Sequence, residues 1–269
     1  MSVTAPRGFR AAGVAAGLSA DGARDVAVVV NDGPTRAAGA VFTEAADRAA
    51  PVLWSAQVVA GGRVRAAVLN SDGANAGTGP LGFQDVHAVA EHAADALSDS
   101  AAEIVLCSSG PPAVRPPLDA LRDGVTAALD EAGRSGGLAA ADAIRTTDTV
   151  AKIVFRRGDG YTVGAMAKGP DASVSSVQCV ITTDADLTAE HCQELLAAAM
   201  AKNFAPLTAT NDTALLMSSG ASGVRPAPDA FAALLTEVCA DLAAQVGTDT
   251  PGDAASTTGA PATDHGTSS

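Results

Sequence analysis

Seven short runs of apolar, largely β-branched residues recur along the chain, and Gly, Pro, Asp or Asn turn formers bound each of them. They are DVAVVVN (25–31), AGAVFT (38–43), VRAAVLN (64–70), EIVLCSS (103–109), AKIVFRR (151–157), YTVGAMA (161–167) and VQCVITT (177–183). Runs of this length between turn signals read as strands. Ala-rich segments with helical spacing lie between and after them, at Asp85 to Leu97, Pro117 to Ala132, Thr188 to Lys202 and Pro226 to Ala244. The third opens on the capping sequence Leu187-Thr188-Ala189-Glu190, and the fourth repeats Phe231, Leu234, Leu235, Val238 and Leu242 on one face. Such a mixture predicts an α/β or α+β fold and leaves the strand order open.

The 269 residues suffice for one large domain or two modest ones. With 17 Lys+Arg against 30 Asp+Glu, the net charge of −13 repels phosphate backbones and anionic lipids, which argues against nucleic-acid and polybasic membrane roles. No run of 18 apolar residues occurs, so no transmembrane helix is expected, and the first residues lack the basic and apolar regions of a secretory signal. Cys107, Cys179, Cys192 and Cys239 stand far apart inside apolar segments, the pattern of buried reduced thiols in a cytoplasmic protein. His87 and His92 miss the i, i+4 spacing of a helical metal site, and no metal or cofactor is expected. From Gly247 to Ser269 the chain has no Leu, Ile, Met or aromatic residue and reads as a disordered tail. Asp249, Asp253 and Asp264 lie in it, leaving −10 on residues 1–246.

Five segments carry groups that bind or react. Asn70-Ser-Asp-Gly-Ala-Asn-Ala-Gly-Thr-Gly-Pro follows a strand and precedes a helix, as an anion cradle would, although alone it reads better as an ordinary loop of turn residues. Cys107-Ser-Ser-Gly-Pro-Pro puts a hydroxyl beside a glycine amide, the two donors of an oxyanion hole. Arg145-Thr-Thr-Asp-Thr flanks Asp148 with hydroxyls and equally suits a turn or helix cap. The stretch from Met166 to Ala185 holds Lys168, one of three lysines against 14 arginines, and Thr208-Ala-Thr-Asn-Asp-Thr leads into a further strand. GxSxG, Walker A and GxGxxG motifs are absent.

Taken in order, these stretches resemble the bifunctional ornithine acetyltransferase/glutamate N-acetyltransferase family of arginine biosynthesis. The resemblance runs through GFRAAGVAAGL (8–18), VVNDGP (29–34), VFT (41–43), AAPVLWS (49–55), AVLNSDGANAGTGPLGFQD (67–85), LCSSG (106–110), TTDT (146–149), TVGAMAKG (162–169), ITTDAD (181–186), TNDTALL (210–216) and SGASG (219–223). It implies an α+β, self-cleaving acetyltransferase-like fold with stacked β-sheets flanked by helices. It also implies a precursor that cuts itself into two associated chains, the new N-terminal residue serving as nucleophile and its α-amine as base. The small-molecule substrates so implied are N-acetylornithine and glutamate.

In the family the nucleophile, a Thr, stands six residues before the first Thr of the TTDA segment. Counting back from Thr182, that position is Ser176, so the implied cleavage lies between Ser175 and Ser176. The family's oxyanion pair falls on Ser109 and Gly110, and its substrate contacts on Thr146, Lys168 and Ser176. Residues 1–175 then correspond to the family's α chain, 176–246 to the start of its β chain, and 247–269 to the tail. An oligomer of cleaved α and β chains is implied as well. The chain departs from the family in the shorter Pro170-Asp-Ala-Ser-Val-Ser loop, in Pro111-Pro112-Ala113-Val114 after the oxyanion pair, and in Glu44-Ala-Ala-Asp47 after VFT. Past Ala244 the family's C-terminal substrate contacts are not found, so its C-terminal part is expected to be missing. The alternative is a catalytically inactive, truncated relative with a binding or regulatory role, or a defective product.

Overall fold

The computed structural model describes residues 2–169 and 176–249. In chain order the elements are β1 (Phe9–Val14), β2 (Val26–Asn31), β3 (Ala38–Phe42), α1 (Ala50–Ala60), β4 (Ala66–Asn70), α2 (Gly79–Leu97), β5 (Ile104–Ser108), α3 (Leu118–Glu131), α4 (Gly137–Ala143), β6 (Lys152–Arg157), β7 (Thr162–Lys168), β8 (Gln178–Thr183), α5 (Ala189–Asn203), β9 (Thr213–Ser218) and α6 (Pro228–Thr248). All seven expected strands form.

The strands make two sheets, ordered β1-β2-β4-β5 and β3-β9-β8-β7-β6. Each contains a single parallel pair, β4 with β5 and β8 with β9, joined by the crossover helices α2 and α5. Period-2 alternation explains why strands read as unbroken apolar runs: both faces are buried. In β2, Ala27 and Val29 face the second sheet, while Val26, Val28 and Val30 pack with Val89 and Ala90 of α2 and Val125 and Ala128 of α3. In β8, Val180 faces the first sheet, and Cys179 and Ile181 meet Leu196 of α5 and Leu235 and Val238 of α6. The result is four layers, helix–sheet–sheet–helix, with the central core between the sheets, and the expected α+β class with stacked sheets holds.

Three elements were not expected. The first, β1, carries Arg10 and Gly13 inside its apolar pattern, and α4 is only seven residues long. The third, α1, is apolar around most of its circumference and so shows no helical stripe, because it covers the outer edge of β5. Ser55 Oγ accepts from Leu106 N (2.9 Å) and donates to Leu106 O (2.7 Å), and Trp54 Nε1 donates to Ile104 O (2.9 Å). The backbone groups of an edge strand are thus satisfied by a helix.

Two expected boundaries move. Helix α2 begins at Gly79, not Asp85, with Pro80 in the first turn, where its missing N–H costs nothing. Helix α6 continues through Gly247 and Thr248, which corrects the tail's expected start, and Asp249 reaches back to Lys152. The rest of the expected tail, 250–269, lies outside the described residues. By length and composition α6 could cross a membrane, contrary to the expectation from apolar runs. Its stripe of Phe231, Leu235, Val238 and Leu242 is instead wholly buried against the second sheet.

Candidate active site

All five chemistry-bearing segments meet at one end of the sandwich. Strands β4, β5 and β7 finish there, at Asn70, Ser108 and Lys168, and β8 starts there at Gln178. Sheet register sets Lys168, Gln178 and Thr213 side by side across β7, β8 and β9. Ser176, two residues before β8, is buried, and its Oγ lies 3.3 Å from the Oγ of Ser109, just past β5. Sixty-seven residues of chain separate these hydroxyls, so only the stacking of the two sheets brings them together.

The next residue shows why glycine is needed beside Ser109. Gly110 has φ +117°, and a Cβ there would fall 2.5 Å from Gly73 N and 2.9 Å from Asp72 Cα. Its N–H makes no hydrogen bond to a described residue. A buried hydroxyl and a free amide side by side form the donor pair that a developing oxyanion requires.

The remaining expected residues close the corner. Lys168 Nζ donates to Thr146 Oγ1 at 3.0 Å. Thr146 and Gly110 also line a cavity of about 340 Å³ together with Ser19, Asp21, Arg24, Asp72 and Arg145. Ser175, the residue expected on the other side of the cleaved bond, lies outside the described residues. The Asn70 segment behaves as the loop its turn residues suggested. Its asparagines bond close by, Asn70 Nδ2 to Asp72 O (2.7 Å) inside the loop and Asn75 Nδ2 to Gly82 O (2.9 Å) in the first turn of α2.

Several supporting residues escaped sequence reasoning. Gln178 Nε2 donates to Ser108 O at 2.7 Å and so ties the start of β8 to the end of β5 across the two sheets. Ser108 Oγ bonds to Asn70 Oδ1 (2.6 Å), and Asn211 Nδ2 reaches Ala74 O (2.8 Å). Asp212 accepts the Val177 N–H at 2.6 Å and the Ala209 N–H at 2.9 Å, which fixes the backbone next to Ser176. Burial raises the Asp212 carboxyl above its ordinary value, against N–H donation from Val177, Ala209 and Thr208 and the charge of Lys168. The only prior signal for Asn211 and Asp212 was their place in a polar cluster ahead of a strand. For Gln178 there was none, since its position in β8 reads as ordinary strand.

The cysteines take no part. All four are buried and unbridged, and burial pushes the thiols of Cys107, Cys192 and Cys239 up to about 12 and that of Cys179 well above its usual value. They are therefore thiols, not thiolates. Among the described residues no three His, Cys, Asp or Glu side chains gather as metal ligands would.

Two mixed sheets stacked between helix layers, with a buried serine leading into a central strand, define the class of N-terminal-nucleophile-like α+β folds. The L-aminopeptidase D-Ala-esterase/amidase of Ochrobactrum anthropi, solved as a variant of that fold, matches 91% of this chain with a TM-score of 0.53 at 14% identity, a likeness of fold alone. Within the class the chain belongs to the ArgJ family, whose model matches residues 10–258. That match runs past Ala244, where the resemblance was expected to stop. The arginine biosynthesis bifunctional protein ArgJ of Thermobifida fusca is 58% identical over 260 residues, spanning 94% of this chain and 68% of that protein; its Streptomyces coelicolor counterpart is 50% identical. The ornithine acetyltransferase of Mycobacterium tuberculosis, solved in complex with ornithine, is 51% identical with a TM-score of 0.62, covering 65% of this chain and 95% of that one.

Proposed function

We propose that the protein transfers an acetyl group from N-acetylornithine to glutamate, with Ser176 as a nucleophile released by self-cleavage. The observation that carries this reading is the 3.3 Å approach of Ser109 Oγ to Ser176 Oγ, beside the unengaged Gly110 N–H. In the cleavage step Ser176 Oγ attacks the carbonyl carbon of Ser175, and the peptide C–N bond breaks as its nitrogen takes the hydroxyl proton. Water then hydrolyses the ester, leaving residues 1–175 as an α chain and 176 onward as a β chain that begins with a free amine.

In the transfer steps that amine takes the Ser176 hydroxyl proton while Oγ attacks the acetyl carbon of the donor. The Ser109 hydroxyl and the Gly110 N–H stabilise the tetrahedral oxyanion. Collapse breaks the donor's C–N bond, the departing α-amine of ornithine takes the proton, and an acetyl ester remains on Ser176. Attack by the α-amine of glutamate reverses the sequence, giving N-acetylglutamate and the free hydroxyl. Lys168 and Thr146 hold the substrate carboxylate. No metal or cofactor enters these steps.

The ArgJ relatives, similar over most of this chain, support the reaction; the buried free cysteines support a cytoplasmic setting, and the interlocked sheets support cleaved chains that stay associated as an oligomer. Intact mass and acetyl transfer measured on one sample test the reading. It expects two fragments meeting at Ser175/Ser176, transfer from N-acetylornithine to glutamate, and loss of both in Ser176→Ala. A single uncut chain without transfer would sink it and leave the inactive relative.

A further inference from the structure

Self-cleavage before Ser176 changes what holds that residue. In the uncut chain peptide bonds fix Ser176 on both sides; afterwards it is a chain end, and chain ends fray unless something ties them down. Its hydroxyl must nevertheless stay close to Ser109 Oγ, 3.3 Å away beyond the end of the other sheet. Val177 is then the only covalent link from Ser176 to the fold, so the partners of Val177 decide whether the nucleophile keeps its place.

Val177 lies just outside β8, and the pairing of β7 with β8 ends at Lys168 and Gln178. Its carbonyl accepts from Thr213 N at 3.0 Å, an ordinary link toward β9. Its N–H goes not to a strand carbonyl but to Asp212 Oδ1, at the short distance of 2.6 Å. Asp212 is itself immobilised. It is 4% exposed. Its Oδ2 accepts the Ala209 N–H at 2.9 Å, and its own N–H donates to Ala209 O at 3.0 Å, which closes the turn from Ala209 to Asp212. In the same turn Asn211 donates Nδ2 to Ala74 O (2.8 Å), and the Ala74 N–H donates to the carbonyl of Pro111 (3.1 Å), the residue after Gly110. One turn thus reaches the nucleophile through Asp212 and the oxyanion segment through Asn211, and it sets their separation.

We propose that Asp212 is a positioning residue for self-cleavage and acetyl transfer: by holding Val177 it keeps the Ser176 hydroxyl on the Ser109–Gly110 pair, above all once Ser176 is a chain end. The proposal rests on reading Ser176 as the nucleophile. Because Asp212 acts through Val177, its loss slows the bond-making steps and leaves binding of the donor by Lys168 and Thr146 in place. The charge of Lys168 also acts on Asp212. Removing the carboxylate frees that ammonium for a ligand, so weaker donor binding does not follow from it.

Intact mass, thermal melting and steady-state transfer from N-acetylornithine to glutamate, measured on the full chain as wild type, Asp212→Asn and Asp212→Ala, test this. Asp212→Asn has the same shape but turns an NH2 group toward N–H donors, and kcat per cut chain should fall about tenfold. Asp212→Ala leaves the Val177 N–H without its acceptor, and the fall should reach about a hundredfold, the scale of a small displacement of reacting atoms. In both, KM for N-acetylornithine should stay within about twofold, in protein that melts in one cooperative transition. A folded variant that stays uncut supports the proposal one step earlier, with Ser176 Oγ off the Ser175 carbonyl. An unchanged kcat in cut variants overturns it, as does a rise in KM that accounts for the lost rate, or an Asp212→Asn chain that no longer folds, which would make Asp212 a brace of the fold. Wild type that neither cuts nor transfers removes the Ser176 reading and this role with it, whereas active wild type with a kcat indifferent to Asp212 removes Asp212 alone.

Discussion

Two lysines are almost completely buried one strand apart, Lys152 at the start of β6 and Lys168 at the end of β7, and their surroundings differ. Lys152 Nζ lies 2.5 Å from Asp148 Oδ1 and also meets the carboxylate of Asp249, just past α6. Asp148 in turn accepts the Gly169 N–H at 3.0 Å. That network clasps the end of α6, the Thr146–Thr149 turn and the exit of β7. Lys168 instead turns its ammonium to the Thr146 hydroxyl, in the corner that holds Ser109 and Ser176. Lys152, set between two carboxylates, braces the fold; Lys168 adjoins the Ser109–Ser176 corner, where the proposed transfer needs a cation for the substrate carboxylate, and lends its charge to Asp212.

Replacing the brace should have the largest effect. Lys152→Met strands two buried carboxylates, a change worth about 3–5 kcal/mol of stability. Denaturant unfolding would read it, and a loss under 1 kcal/mol would show that Lys152 is no brace. Lys168→Met should act on the reaction, lowering kcat/KM for acetyl transfer about a hundredfold, close to 3 kcal/mol of transition-state binding, in protein that still unfolds in one cooperative transition. If both variants lose stability alike with matching losses in rate, the distinction between them fails.

The role of Lys152 was not legible in the residues alone, whereas Lys168, scarce among 14 arginines and set beside a glycine between two strands, already read as a ligand contact. Strands were readable because burial on both faces writes a continuous apolar run, as in Val26 to Val30. In contrast, α1 hid because a helix wrapped by neighbours on several sides has no stripe, and β1 hid because Arg10, which reaches Asp32 and Leu129 O, interrupts its pattern. For the site, the residues alone suggested the Ser109–Gly110 donor pair and Lys168, and resemblance to a family supplied Thr146 and Ser176. Spacing could not, since the groups come from both sheets and from chain segments far apart. Gln178 stayed invisible for a different reason. An amide at the start of an apolar strand looks ordinary until the second sheet is placed beside it.

Gln178 sharpens the contrast from the site's side. Gln178→Leu removes the amide that holds Ser108 O, leaving a buried acceptor at a cost of about 1–3 kcal/mol. Because Ser109 follows that carbonyl, kcat for transfer should fall by about tenfold with KM little changed. A purely structural Gln178 would lower the melting temperature and leave kcat intact.

The smallest effect comes from the outer half of the brace. The Asp249 carboxyl is held down at about 2, against the opposing pull of burial, by hydrogen bonds from Lys152 and Thr149. A carboxyl whose folded pKa lies below its unfolded value of 3.8 stabilises the fold above about pH 4, and the contribution disappears as the pH falls toward 2. Asp249→Asn should therefore melt about 2–4 °C below wild type at pH 7, the shift that roughly 1 kcal/mol makes in a domain of this size. The two curves should converge as the pH drops through that window. A gap that persists at pH 2 would mean that Asp249 contributes shape and hydrogen bonds but no charge, and the brace would then reduce to the Lys152–Asp148 pair.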